Sequence, residues 1–172
     1  NPGSGYGRDG SWWAHYTGLT YRPTTYIELD GGVNICRSFD QYMWVTNIAD
    51  SSIFARVDQD EWTTYLSINV MLSRDLSIRF SGQGYVSGVD YSKYGRYLGG
   101  EEYEPFDLGY ETDFNYAALN STMIIRWQYL PGSTLYLVWT RAMSECDPSL
   151  NNLDFSRDLD RLFSGDAENV FL

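Results

Sequence analysis

Apolar and polar residues alternate strictly over several stretches of this chain, and this pattern constrains the fold more than any other feature. In the segment TYIELDGGVNIC, Ile27 and Leu29 share one parity, whereas Glu28 and Asp30 share the other. Because the side chains of a β-strand point alternately to its two faces, a period of two predicts a strand with one apolar and one polar face. The segments EWTTYLSINVMLS and LSIRFSG repeat the pattern. The sequence therefore predicts an all-β fold.

Short turns and long polar connections alternate along the chain. The segments YRPTTY, LSRDLS and YLPGST carry Pro, Asp or Gly where hairpin turns favour them. Stretches rich in Gly, Asp and Glu predict long polar loops at about residues 37–60, 86–113 and 141–169. Short turns at one end and long loops at the other are typical of outer-membrane β-barrels. We predict an antiparallel meander of long hairpins that forms part or all of such a barrel, with a soluble β-sandwich or small barrel as the alternative.

The parity of each strand assigns its side chains to one of two faces. In a membrane barrel the apolar face contacts lipid, and the polar face lines the lumen. The predicted inner-face polar residues are Glu28, Asp30, Arg79, Arg126 and Gln128. The predicted outer apolar face consists of Ile27, Leu29, Leu66, Ile68, Val70, Ile125, Trp127, Leu135, Leu137 and Trp139. Its tryptophans stand near the ends of apolar stripes, which is where the aromatic girdles of membrane barrels lie.

Charge and residue counts exclude several kinds of site. Of the 172 residues, 23 are acidic and 12 are basic, which gives a formal net charge of -11. Nucleic-acid binding requires a basic surface, so we predict no nucleic-acid partner. One histidine, His15, and two cysteines, Cys36 and Cys146, are too few for a His-rich or Cys-x-x-Cys metal site. The acidic clusters lack EF-hand spacing. We predict no catalytic, cofactor or metal site, and hence a non-enzymatic domain.

The last third of the chain resembles a known family. The segments RWQYLPGSTLYLVWT and DFSRDLDRLFSGDAENVFL are similar to the C-terminal end of bacterial cell-surface proteins that carry an N-terminal carbohydrate-binding-family-nine-like domain and a C-terminal domain of unknown function. The family pattern is matched by Arg126, Trp127, Tyr129, Pro131, Gly132, Ser133 and Leu135. The segments SGYGRD, YRPTTYIELDGGVN and LSINVMLSRDLSIRFSGQGYVSGVDY are similar to its preceding hairpins. The resemblance therefore spans essentially the whole chain.

The resemblance implies a fold, a location and a role. Residues 1–172 are expected to be a single β domain, a C-terminal fragment of a longer barrel protein in the bacterial outer membrane, with the periplasm or cell surface as alternatives. The expected function is an anchor or conduit for a surface glycan-handling protein. The expected partners are outer-membrane lipid or other cell-envelope proteins, with glycan as a further ligand. The alternatives are a membrane-extrinsic or periplasmic β-module that serves as a structural subunit of a larger complex, and a secreted hydrolase on a β-scaffold.

Overall fold

A computed structural model describes residues 2–7, 10–100, 102–110, 112–150, 152–164 and 166–172. These residues form nine strands and one helix. The strands are β1 (Pro2–Gly7), β2 (Gly10–Thr24), β3 (Ile27–Ile48), β4 (Ser51–Met71), β5 (Leu76–Gly99), β6 (Glu102–Pro105), β7 (Phe114–Leu130), β8 (Ser133–Asp147) and β9 (Glu168–Phe171). The helix α1 spans Phe155–Ser164.

All nine strands belong to one antiparallel sheet in the order β1-β2-β3-β4-β5-β7-β8-β9, with β6 paired to β5. The three predicted short turns are present, at residues 25–26, 72–75 and 131–132. Gly132 adopts a φ of 81°, a backbone conformation that favours glycine. The prediction of an all-β antiparallel meander is therefore confirmed. Among the described residues the sheet is open, with β1 at one edge and β9 at the other.

The predicted polar loops at residues 37–60 and 86–113 are wrong over most of their length. The strands β3 and β4 continue through the first stretch and are joined by two turn residues, 49 and 50. In the second stretch β5 continues to Gly99, and β6 folds back on it. Polar side chains do not prevent strand formation, because the ladder hydrogen bonds come from the backbone. Opposite charges also stabilise the pairing: Arg37 lies opposite Asp60 and forms an ion pair with it.

The predicted loop at residues 141–169 is partly wrong, because β8 runs to Asp147 and α1 and β9 follow it. The helix begins where the Asp154 carboxylate accepts a hydrogen bond of 3.0 Å from the Arg157 amide, the usual arrangement of an N-cap. Aspartate followed by apolar residues at helical spacing is a start signal that could have predicted this helix. No helix within the described ranges is long and apolar enough to cross a membrane.

Candidate functional site

The strand register places the predicted apolar residues together. Ile27 lies opposite Val70, and Leu29 lies opposite Ile68. Directly opposite residues of antiparallel strands share a face, and every second residue of one strand does the same. One face of the sheet, which we call the apolar face, therefore carries Ile27, Leu29, Leu66, Ile68, Val70, Ile125, Trp127, Leu135, Leu137 and Trp139.

The opposite surface, which we call the polar face, carries the predicted charged residues but does not gather them into one cluster. Glu28 on β3 lies opposite Asn69 on β4, and Asn69 lies opposite Arg79 on β5, so Asn69 stands between the two charged residues. Arg79 Nε donates a hydrogen bond of 2.9 Å to Asn69 Oδ1. Arg126 Nη2 donates a longer one, of 3.4 Å, to Gln128 on its own strand. Each side chain is thus held by a local neighbour.

The remaining predicted carboxylates on the polar face also have partners that sequence reasoning missed. Glu28 forms an ion pair of 2.5 Å with Arg22. Asp30 accepts a hydrogen bond of 2.5 Å from the Thr20 hydroxyl, which lies on the neighbouring strand. Both partners lie in β2, a strand that lacks the clean alternation of β3 and β4. The signal that could have found them is the YRPTTY turn, which brings β2 alongside β3.

Tyrosines and carboxylates continue the polar face towards the far end of the strands. The hydroxyls of Tyr16 and Tyr65 lie 2.5 Å apart. The Tyr85 hydroxyl donates a hydrogen bond of 2.6 Å to Glu61, which also accepts one of 3.0 Å from Gln59. From Glu28 to Glu61 and Tyr85 the polar face therefore presents hydroxyl, amide and carboxylate groups, which suit water and solutes that form hydrogen bonds. Further along the strands the same face carries the buried apolar residues Val57 and Val89.

The apolar face is unusually open to its surroundings. Leu66 in the middle of the sheet is 45% exposed, Trp127 is 49% exposed, and Leu19 is 72% exposed. Ile53 and Val57, which are fully buried, lie in the far half of β4, and Ala117 is buried at the end of the apolar face nearest α1. A soluble monomer rarely exposes a contiguous apolar patch larger than a few hundred Å². Among the described residues this face therefore has the composition of an interior, and away from α1 no second layer covers it.

Gly32 allows close packing beneath Tyr65 on the polar face, and we expect Gly32→Ala to lower the free energy of unfolding by about 1–3 kcal/mol. A Cβ at Gly32 would lie 2.5 Å from Tyr65 Cε1 and 2.8 Å from the Thr17 carbonyl oxygen. The backbone oxygen cannot move away without distorting the ladder. At the neighbouring Gly31 a Cβ would have its nearest contact at 3.4 Å, so Gly31→Ala is the matched control. Chemical denaturation followed by tryptophan fluorescence measures both; equal losses would contradict the role of Tyr65.

The helix α1 packs on the apolar face through a buried polar network. Asn115 and Asp158 are both fully buried. Asn115 Nδ2 donates a hydrogen bond of 3.2 Å to Asp158 Oδ2, and Asn115 Oδ1 accepts one of 2.9 Å from Arg161 Nη1. Arg157 Nε lies 2.9 Å from Asp158 Oδ1 and compensates its charge. These contacts join α1 to β7, the strand that carries Asn115.

Two carboxylates at the far end of the strands have shifted pKa values. The hydroxyl and backbone amide of Ser149 donate hydrogen bonds that lower the pKa of Asp147, and the positive charge of Arg161 adds to this effect. Desolvation raises the pKa of Asp90, and the negative charges of Asp113 and Asp58 raise it further. Nowhere in the described ranges do three or more His, Cys, Asp or Glu side chains converge in a way that could hold a metal ion.

An aromatic cluster occupies the far end of β3, β4, β5 and β6. The rings of Tyr42 and Tyr103 stack at 4.6 Å between centroids, and Phe54 packs edge-on against Tyr103 at 5.7 Å. The Arg56 guanidinium lies 3.7 Å above the Tyr42 ring centre and 3.0 Å from an Asp40 carboxylate oxygen. These contacts hold the extended strands together beyond the level of the apolar face.

Comparison with known proteins yields one match. The model of a family described as a domain of unknown function, DUF5916, matches residues 6–172. The resemblance to a domain of unknown function is thereby confirmed over nearly the whole chain. The comparisons with curated proteins and with solved structures gave no match.

Proposed function

The chain belongs to the DUF5916 family, and from this premise and its two-faced sheet we propose that it forms part of the wall of an outer-membrane β-barrel. In this role the apolar face contacts lipid and the polar face lines a water-filled lumen. The domain is non-enzymatic and serves as an anchor or conduit for a surface protein that handles glycans. Hydroxyl, amide and carboxylate groups along the polar face support the conduit role, because these groups hydrogen-bond to polyhydroxylated solutes.

The exposed apolar band is the single observation that carries this proposal. On β7 the band runs from Leu119 to Tyr129, ten positions apart. At ~3.3 Å per residue this distance is about 33 Å along the strand. A strand tilted by ~45° would then span a height of about 23 Å, close to the ~25 Å apolar band of outer-membrane barrels. Leu19, Leu66 and Trp127 are exposed within this band.

The open edges of the sheet support assembly with further strands. Among the described residues, β1 covers the outer edge of β2 only from Gly10 to His15. On the other side, β9 pairs with β8 from Trp139 to Ala142. Unpaired backbone groups cannot be tolerated in lipid, where no water is available to satisfy them. We therefore propose that additional strands pair with both edges and close the barrel.

Carbonate extraction of membranes from cells that produce the protein tests the proposal. An integral barrel stays in the membrane pellet after the carbonate wash and is released only by detergent. Its folded form should also resist SDS at room temperature and change its gel mobility on heating. Release by carbonate as a soluble complex would contradict the proposal and favour the extrinsic structural subunit. Soluble protein that hydrolyses a substrate would favour the hydrolase alternative.

A further inference from the structure

A groove crosses the apolar face beneath the end of α1. Gly82 and Gly84 form its floor, since their missing side chains lower the surface between the neighbouring strands. Its walls include Leu66, Phe80, Leu119, Trp139 and, from the helix, Phe163. The volume is about 350 Å³. Large apolar walls around a glycine floor form a slot that accepts the end of a hydrocarbon chain rather than a polar solute.

Arg141 lines this groove and breaks the pattern of the apolar face. It lies two residues after Trp139 on β8, so it shares a face with the apolar residues of that strand. Its Nε atom is buried without a hydrogen-bond acceptor among the described residues, and its Nη2 lies 3.3 Å from the weak acceptor Met143 Sδ. In the described part of the chain no carboxylate lies within ion-pair distance of it. Within the part of the chain that the structure describes, the guanidinium therefore has no carboxylate partner.

An arginine on a lipid-facing surface is costly, by about 2–4 kcal/mol at the bilayer midplane and less near the interfaces. A bound anion would offset much of this cost, because a guanidinium forms strong, bidentate hydrogen bonds with phosphate. We propose that the groove binds an anionic phospholipid, with its phosphate on Arg141 and one acyl chain against Phe80 and Trp139. This inference rests on the proposed function, because it requires the apolar face to be in contact with lipid.

The position of α1 is consistent with this orientation of the lipid. From Trp139 to Arg141 the strand runs towards the end of the sheet where the helix packs, and Met143 lies one step further in the same direction. The helix is fixed there by charged residues, among them Arg157 and Arg161. Charged groups at that level suit the polar headgroup region, whereas Phe80 and Trp139 lie towards the apolar end. The headgroup would thus lie at the charged end of the groove beside Arg141, and the acyl chain would lie at its apolar end beside Phe80 and Trp139.

Quenching of tryptophan fluorescence by brominated lipids tests the site in a protein that keeps Trp139, which lines the groove, and has phenylalanine at the other five tryptophan positions. This single-tryptophan protein is the wild type for the variants below. The purified protein is reconstituted in vesicles of dioleoyl phosphatidylcholine, and phosphatidylglycerol with dibrominated acyl chains is titrated against dibrominated phosphatidylcholine. We expect the wild type to prefer the anionic lipid by about tenfold at this site. The preference should disappear in Arg141→Gln and persist in part in Arg141→Lys. Gly82→Leu, which fills the groove, should remove the quenching of Trp139 by both lipids.

Arg79→Gln is the matched control, since Arg79 lies on the polar face of the same sheet. This variant should keep the wild-type preference for the anionic lipid. If it loses that preference, the preference reflects the overall charge of the protein and not a site at Arg141, and the proposed site is wrong. Wild-type protein that inserts but quenches equally with both lipids would overturn the site and leave the proposed function intact. Wild-type protein that fails to insert would overturn both. Displacement of phosphatidylglycerol by an equal concentration of glycerol phosphate, which lacks acyl chains, would show that the chains add no affinity and would overturn the lipid site in favour of a site for free phosphate.

Discussion

Replacing Leu66 with Arg is expected to destabilise the membrane-inserted protein by about 2–4 kcal/mol. Leu66 lies in the middle of the apolar face, opposite Gly31 on one side and Gly82 on the other. Its side chain is 45% exposed, so a longer side chain can be accommodated without a steric clash in the core. The cost arises because lipid at this depth cannot solvate the guanidinium. Unfolding from phosphatidylcholine vesicles by guanidinium chloride measures it.

Ser67→Arg is the matched control for this experiment. Ser67 is adjacent in sequence but lies on the polar face, opposite Asp30. An arginine at that position would face water and a carboxylate, so we expect a change within about 0.5 kcal/mol. If the apolar face instead contacts water, the two variants should behave alike, since exposed substitutions in water rarely cost more. Equal stability of the two variants would therefore contradict the assignment of the apolar face to lipid.

The alternating segments predicted the fold well because their information is local. Ile27 and Leu29 have to share a face in any strand that contains them, and the Pro-Gly turn at residues 131 and 132 fixes the hairpin that follows. The same reasoning extended by one step would have identified Arg141. It follows Leu137 and Trp139 at period two, so it had to lie on their face. The missed signal is a charged residue that stands at the same parity as the apolar residues of its strand.

The predicted loops failed because composition was taken as a guide to secondary structure. Acidic residues and glycines of β3, β4 and β5 lie in strands because residues on the neighbouring strands form ion pairs and aromatic contacts with them. Arg37 forms an ion pair with Asp60. Arg56 forms an ion pair with Asp40 and a cation–π contact with Tyr42. Such partners are separated by many residues in the sequence, and they become neighbours only when the register is known. No local pattern distinguishes these strands from polar loops.

The position of α1 depends on contacts that are still less local. Asn115 has the parity of the apolar face, although an asparagine there would be unfavourable in contact with lipid. It is accommodated because Arg161, 46 positions further along the chain, reaches its side-chain oxygen. In the sequence alone, Asn115 is a polar residue at an apolar position with no evident reason. Its hydrogen bonds to α1 supply the reason. The apolar face ends where this helix begins to cover it.

Asn115→Ala is accordingly expected to release α1 from the sheet, at a cost of about 2–4 kcal/mol to its docking. The substitution removes the donor to Asp158 Oδ2 and the acceptor of Arg161 Nη1. A fully buried carboxylate and a largely buried guanidinium then lose one partner each, and separation of the helix restores their hydration. Hydrogen exchange of the backbone amides in residues 155–164 measures the docking directly, and we expect protection to fall by a factor on the order of 30 to 1,000.

Asp160→Asn provides the control, since it changes a charge in the same helix at an exposed position. Its effect on amide protection should be within about a factor of two. The protection of amides in β4 and β5 should be unchanged in both variants, because the ladder between these strands does not involve α1. Undiminished protection of the helix in Asn115→Ala would mean that α1 is held by contacts other than this network. A parallel loss of protection in β4 would instead indicate that the substitution unfolds the sheet as a whole.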